Sequence, residues 1–226
     1  MVRLARVVAA GLPHHVTQRG NRRQTVFFGE ADYAAYRALL AESCRAAGVV
    51  VWAYCLMPNH VHLILVPHDP DGLRAALAEA HRRYTRHINF REGWRGYLWQ
   101  GRFASFPMDE AHLLAAARYV ELNPVRARLA RSARDWRWSS ARAHLKGEDD
   151  ALVRVRPLLD LVPDWAAFLR EGLSAEDHAA IRAGESTGRP LGSSAFIARL
   201  EKRLKRTLAR QKPGPKPKAK PGAGAA

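Results

Sequence analysis

The sequence predicts an α+β fold: an antiparallel sheet with helices packed on one face, followed by a C-terminal helical extension. Three observations carry this. Runs of strand formers at 13–18, 49–57 and 60–66 are interleaved with helical periodicities at 30–47 and 73–89. The second and third runs are separated only by Pro58-Asn59, so their strands are expected to be antiparallel. A hydrophobic share of 47% over 226 residues supplies a core for one generous domain, or one domain plus a small appendage.

Taken in order, Pro13 to Gln18 reads as a first strand that ends in the basic turn Arg19-Gly20-Asn21-Arg22-Arg23. Such a turn can wrap phosphates and base edges, or simply be a solvated loop. From Glu30 to Ala47 the spacing of Tyr33, Tyr36, Leu40 and Cys44 is helical, and Gly48 supplies the stop. Val49 to Met57 is a second strand, and the third begins at His60. Alternation places His60 and His62 on the face of Ile64 and Val66, with Val61, Leu63 and Leu65 on the other. Two apolar faces mark a central, doubly covered strand. Leu73 to Asn89 is a second helix with the buried stripe Leu73, Leu77, Ala80, Tyr84 and Ile88. Tyr97 to Phe103, continuing through Phe106, reads as an extended segment with core aromatics. A third helix starts after the N-cap Asp109 and runs to Asn123, where Pro124 halts it. Strand, helix, strand, strand, helix, strand is the order of a ferredoxin-like or RRM-like sheet. The third helix is an addition to that core.

Trp136 to Gly147 closes the first unit, residues 1–147. The acidic break Glu148-Asp149-Asp150 precedes a helical extension at 151–210, with Trp165, Phe168 and Leu169 as its core and Ser193 capping a last amphipathic helix. The arginines and lysines of that helix suit either a second nucleic-acid contact or a solvated face. Residues 211–226, rich in Pro, Gly and Lys, are expected to be a disordered basic tail.

The net charge of +16 points to a polyanionic partner, nucleic acid first. Only seven of the 37 basic residues are lysine, and guanidinium groups suit bidentate phosphate contacts. Cys44 and Cys55 form no C-x-x-C pair, so no thiolate metal site or disulfide framework is expected. Without a signal-peptide core or a long apolar span, the expectation is a soluble cytoplasmic protein, nucleoid-associated and without membrane contact.

Two chemical features stand out. His60 and His62 can converge on one metal ion, although on that stretch alone a pair of hydrogen-bonded core imidazoles is the commoner arrangement. Tyr119 and Asn123, four residues apart, are neighbours on one helix face. A tyrosine hydroxyl can attack a phosphodiester, and an amide oxygen one turn away can complete a metal site begun by two imidazoles.

In series, Arg19-Gly20-Asn21-Arg22-Arg23, His60-Val61-His62, Leu98-Trp99-Gln100-Gly101-Arg102-Phe103 and Tyr119-Val120-Glu121-Leu122-Asn123-Pro124-Val125-Arg126-Ala127 resemble the single-tyrosine HUH transposases. Among these the REP-associated tyrosine transposases are the most similar group. The resemblance implies a metal-dependent endonuclease and strand transferase acting on single-stranded hairpin DNA. Tyr119 would be the nucleophile, leaving a 5′-phosphotyrosine and a free 3′ hydroxyl. His60, His62 and Asn123 would hold a divalent metal, Mg²⁺ or Mn²⁺. Arg19, Gly20, Asn21, Arg22 and Arg23, with Arg102 and Arg126, would contact DNA. A monomer is favoured, although some relatives share active sites as dimers. The competing reading is a non-catalytic DNA- or RNA-hairpin-binding regulator on the same sheet. A Zn²⁺ hydrolase is a third, which would ordinarily need a further His, Asp or Glu ligand.

Overall fold

Six elements in sequence build the sheet and its first helical layer. They are β1 (His14–Arg19), α1 (Glu30–Ala46), β2 (Val49–Met57), β3 (His60–Pro67), α2 (Gly72–Glu92) and β4 (Ala104–Pro107). The computed structural model describes residues 5–209. The expected tail at 211–226 lies outside the described residues. The strand order is β2-β3-β1-β4 with every neighbour antiparallel, the ferredoxin-like arrangement. Pro58-Asn59 closes the β2–β3 hairpin, pairing Met57 with His60.

The two faces follow from alternation along β3. Val61, Leu63 and Leu65 face α1 and α2, joining Val16, Tyr36, Leu40, Leu77 and Tyr84 in one core. Ile64, with Ala53, Cys55, Met57 and Phe106, belongs to a second core on the opposite face. That face is roofed by α3 (Glu110–Glu121) and by helices of the extension. After the four-residue α4 (Asn123–Arg126) come α5 (Ala141–Lys146), α6 (Arg156–Leu159), α7 (Trp165–Arg170), α8 (Ala175–Thr187) and α9 (Ser194–Leu204). Trp165, Phe168, Leu169 and Ile181 of α7 and α8 pack into this second core.

Both sheet edges carry downstream chain. On the β2 side, Leu56 N–H donates to Trp138 O (2.8 Å), Ser140 N–H to Tyr54 O (2.9 Å) and Arg154 N–H to Val51 O (2.8 Å). On the β4 side, Leu191 N–H donates to Pro107 O (2.9 Å).

Several expectations need correction. The run at 97–103 is a loop rather than a strand, joined to the end of β1 by an isolated bridge between Gly20 and Trp99 and by the Gln18 side chain donating to Gly101 O (3.1 Å). Gly96 and Gly101 sit at φ 95° and 59°, which interrupts any extended run. Trp99 and Phe103 are buried as core, but Tyr97 is 88% exposed. α3 ends at Glu121, and Asn123 opens α4 rather than closing α3. A proline is tolerated in the first turn of such a helix because that N–H has no intrahelical partner. α8 runs through Gly184, where a Cβ would meet the Phe106 ring at 2.7 Å, so the glycine serves close helix–sheet packing. Gly188 (φ 69°) supplies the helix stop.

On α9, Phe196 and Leu200 pack with Val7 and Ala9. Arg203 and Arg206 donate to the carbonyls of Ala10 and Ala5 (2.7 and 2.6 Å), which ties the basic face to the N-terminal segment.

Candidate active site

The centre of the sheet supplies the imidazoles. In β3, His62 is buried and His60 half-buried, their rings 4.9 Å apart and nearly perpendicular. The amide nitrogen of Asn59 donates to Arg23 O (2.9 Å), which turns its Oδ1 toward His60 Nδ1 at 2.6 Å. An amide oxygen only accepts, so Nδ1 carries the proton and Nε2 keeps a free lone pair. The β1–β3 register sets Arg19 opposite His60 and Thr17 opposite His62. His15, from β1, stacks on His62 at 5.3 Å, with its Nε2 3.2 Å from His62 Nδ1.

α3 supplies the phenol. The Asp109 side chain caps its N-terminus by accepting from His112 N–H (3.2 Å). Tyr119 is only 1% exposed. Its ring lies 5.3 Å from that of His62, 5.9 Å from His15 and 5.6 Å from His178 of α8. The Arg126 guanidinium sits 4.3 Å over the same ring. Asn123 is buried one turn on, and its amide nitrogen has no partner among the described residues. From α8, Glu185 brings a carboxylate to within 3.6 Å of His62 Nδ1 and beside the Tyr119 side chain. Its Oε1 has no hydrogen-bond partner, nor has His15 Nδ1.

Burial dominates the electrostatics. It pushes His60 down to about 4 and His15 to about 3, and holds His62 well below its ordinary value. The charges of Arg19 and Arg126 add to this at His60 and His62. These imidazoles are therefore neutral near pH 7, the form that ligates a metal. Burial also raises the Glu185 carboxyl, against the pull of Arg182 and Arg19. The ligand atoms of His15, His62 and Glu185 lie within 4.8 Å of one another, a group that could hold a metal ion.

A cleft of about 530 Å³ opens onto this cluster, lined by Arg19, His60, His62, Gln100, Arg102 and Arg182. Gly20 is required at the turn leaving β1, since a Cβ there would meet Gln24 O at 2.3 Å. Asn21 follows in a 3-10 turn, its N–H bonded to Leu98 O (2.8 Å). Arg22 and Arg23 are exposed on that turn with left-handed backbones, φ 52° and 62°.

The structure thus brings His60, His62 and Tyr119 together, lines their cleft with Arg19 and Arg102, and stacks Arg126 on the phenol. His15, His178, Arg182 and Glu185 complete the cluster and were not expected. The adjacent His14-His15 pair is visible in the sequence. Which of the two faces His62 depends on strand register. The α8 residues carry no local signal at all.

The ferredoxin-like sheet carries paired histidines on its central strand, facing a tyrosine borne on α3. The chain belongs to the family described as Transposase IS200 like, which matches residues 9–123. It is 25% identical over 124 residues to a protein described as a candidate REP-associated tyrosine transposase from Haemophilus influenzae, covering 50% of this chain and 70% of that one. A solved REP-associated tyrosine transposase bound to a REP hairpin shares the fold. Its TM-score is 0.56 at 21% identity, covering 67% of this chain and 90% of that one.

Proposed function

We propose that this chain is a divalent-metal-dependent enzyme that cuts and rejoins single-stranded DNA beside a hairpin, with Tyr119 as nucleophile. The observation that carries the reading is the phenol of Tyr119 set against His62 and Glu185 at the inner end of an arginine-lined cleft. A non-catalytic hairpin binder needs the arginines but has no use for a tyrosine packed against three neutral imidazoles.

The residues present fit a divalent cation. His60 offers a lone pair at Nε2, His62 is neutral, and Glu185 holds a buried carboxylate oxygen without a partner. His60, His62 and Asn123 would hold the ion, and His15 and Glu185 extend the donor set. Once bound, it would polarise a phosphoryl oxygen of the scissile phosphate, and imidazole ligands suit Mn²⁺ somewhat better than Mg²⁺.

The protein's own groups do the rest. Glu185 orients the phenol, and Arg126 fixes the ring. The Tyr119 hydroxyl oxygen attacks phosphorus, the bond to the 3′ oxygen breaks, and a 5′-phosphotyrosine forms. The phenol gives up its proton and the departing 3′ oxygen takes one up. Attack by a 3′ hydroxyl on the phosphotyrosine reverses the step and rejoins DNA. Arg19, Arg22, Arg23 and Arg102 hold the substrate backbone. Residues 1–147 form the catalytic unit, and the extension at 151–210 completes it through α8. The expected working form is a monomer.

The test uses labelled hairpin DNA with an unpaired 5′ flank, Mn²⁺ or chelator, and a denaturing gel. A covalent protein–DNA band that requires metal and is absent in Tyr119→Phe is expected. Tight binding with no covalent species on any flanking hairpin overturns catalysis in favour of the regulator.

A further inference from the structure

The loop after α2 exposes aromatic rings that the reaction does not use. Trp94 is 43% exposed and Tyr97 88%, with Arg95 between them. Burying such rings is the ordinary way to gain stability, so two left in solvent on a held loop are unusual. The loop is indeed held. Trp94 N–H donates to Asn89 O (2.8 Å), and the Asn89 side chain donates to Gly96 O (3.0 Å). Trp94 also meets the exposed Phe28 edge-on at 5.7 Å.

The position of the loop is informative. Leu98 O, next to Tyr97, accepts from Asn21 N–H (2.8 Å) and from the Gln24 side chain (3.2 Å). The loop is therefore fastened to the turn carrying Arg22 and Arg23. That turn is fastened in its own right to the residues before His60, through Gly20 N–H to Asn59 O (2.8 Å). Hydrogen bonds thus link the segment before His60, the basic turn and the aromatic loop in series. Arg22, Arg23 and Arg95 are exposed and lack an acidic partner among the described residues.

We infer that Trp94 and Tyr97 form a stacking shelf for the unpaired bases of a DNA strand leaving the cleft, whose phosphates lie on Arg22, Arg23 and Arg95. Exposed rings interleaved with unpaired cations match single-stranded nucleic acid, because every base offers a π-face and every nucleotide a phosphate. This rests on the DNA-processing reading above, but binding alone tests it.

The experiment measures affinity of the full chain for a thymidine oligomer of about 15 nucleotides by fluorescence anisotropy. It is repeated with a hairpin bearing an unpaired flank and with the same hairpin trimmed of it. Trp94→Ala combined with Tyr97→Ala is expected to weaken the oligomer and the flanked hairpin about 10- to 100-fold, leaving the trimmed hairpin unchanged. Trp94→Phe, which keeps a ring, stays close to wild type. An abasic oligomer binds wild type about as weakly as the double variant binds the thymidine oligomer. Unchanged oligomer affinity in the double variant, or an equal loss on the trimmed hairpin, overturns the shelf. If no covalent species forms with any hairpin while the oligomer loss persists, the catalytic reading falls and the shelf stands.

Discussion

Replacing Asn59 by alanine removes one amide, an acceptor and a donor, and so acts on two residues. His60 loses the partner that fixes its tautomer, and Arg23 O loses the donor that anchors the basic turn. Mn²⁺ affinity is expected to fall about 10- to 100-fold by isothermal titration, since partners of ligating histidines carry that much. Unchanged affinity would mean that His60 is not a ligand. His14 gives a different prediction. It is fully buried, its Nε2 accepts from Ala9 N–H (3.1 Å), and burial lowers it to about 4. The folded state then binds fewer protons than the unfolded state between about pH 4 and 6.5. Stability is present above that window and is lost as pH falls through it. In chelator, denaturant titrations at pH 7 and 4.5 should differ less in His14→Gln than in wild type, by about 2 kcal/mol. Equal pH sensitivity in the two proteins would remove His14 as the cause.

The helices on the active-site face are joined by a buried carboxylate. Glu121, fully buried at the end of α3, accepts from Ser140 Oγ (2.6 Å), His144 Nδ1 (2.7 Å) and Trp165 Nε1 (2.7 Å), tying α3 to α5 and α7. Glu121→Ala strands the His144 and Trp165 donors, leaves Ser140 Oγ only the Tyr54 carbonyl (3.3 Å), and should cost about 4 kcal/mol in urea unfolding, a size that surface positions do not reach. Gly184→Ala sets two effects against each other. Helix propensity favours alanine by about 1 kcal/mol, but the added Cβ meets three atoms of a Phe106 ring that is itself buried. The clash should win, lowering Tm by about 4 °C; a rise would show that α8 can shift freely. These packing relations were the least legible. β2, the histidine strand and the α2 stripe were readable because each is a local period. His15 became part of the site only through register, and Glu185 only through the long-range docking of α8. Tyr97 was misplaced because an aromatic in a hydrophobic run looks like core unless the glycines around it are known to turn the chain.

At the scale of the whole molecule, the charge of +16 read from composition includes Arg19, Arg102 and Arg182, set around one cleft. A protein gripping about five phosphates of a single strand should lose about 100-fold in affinity between about 50 and 200 mM salt. A flat salt response would mean that the arginines do not touch the backbone. The family match ends at residue 123, yet the chain beyond it holds Trp138, Ser140 and Arg154 along β2 and Leu191 along β4. Those bonds have a consequence outside catalysis. A bare strand edge is a template on which another polypeptide can pair, and β2 is nine residues long and rich in valine. The downstream chain therefore acts as a guard against self-association. A version stopped at residue 132 should scatter light and pellet under conditions where the full chain stays clear.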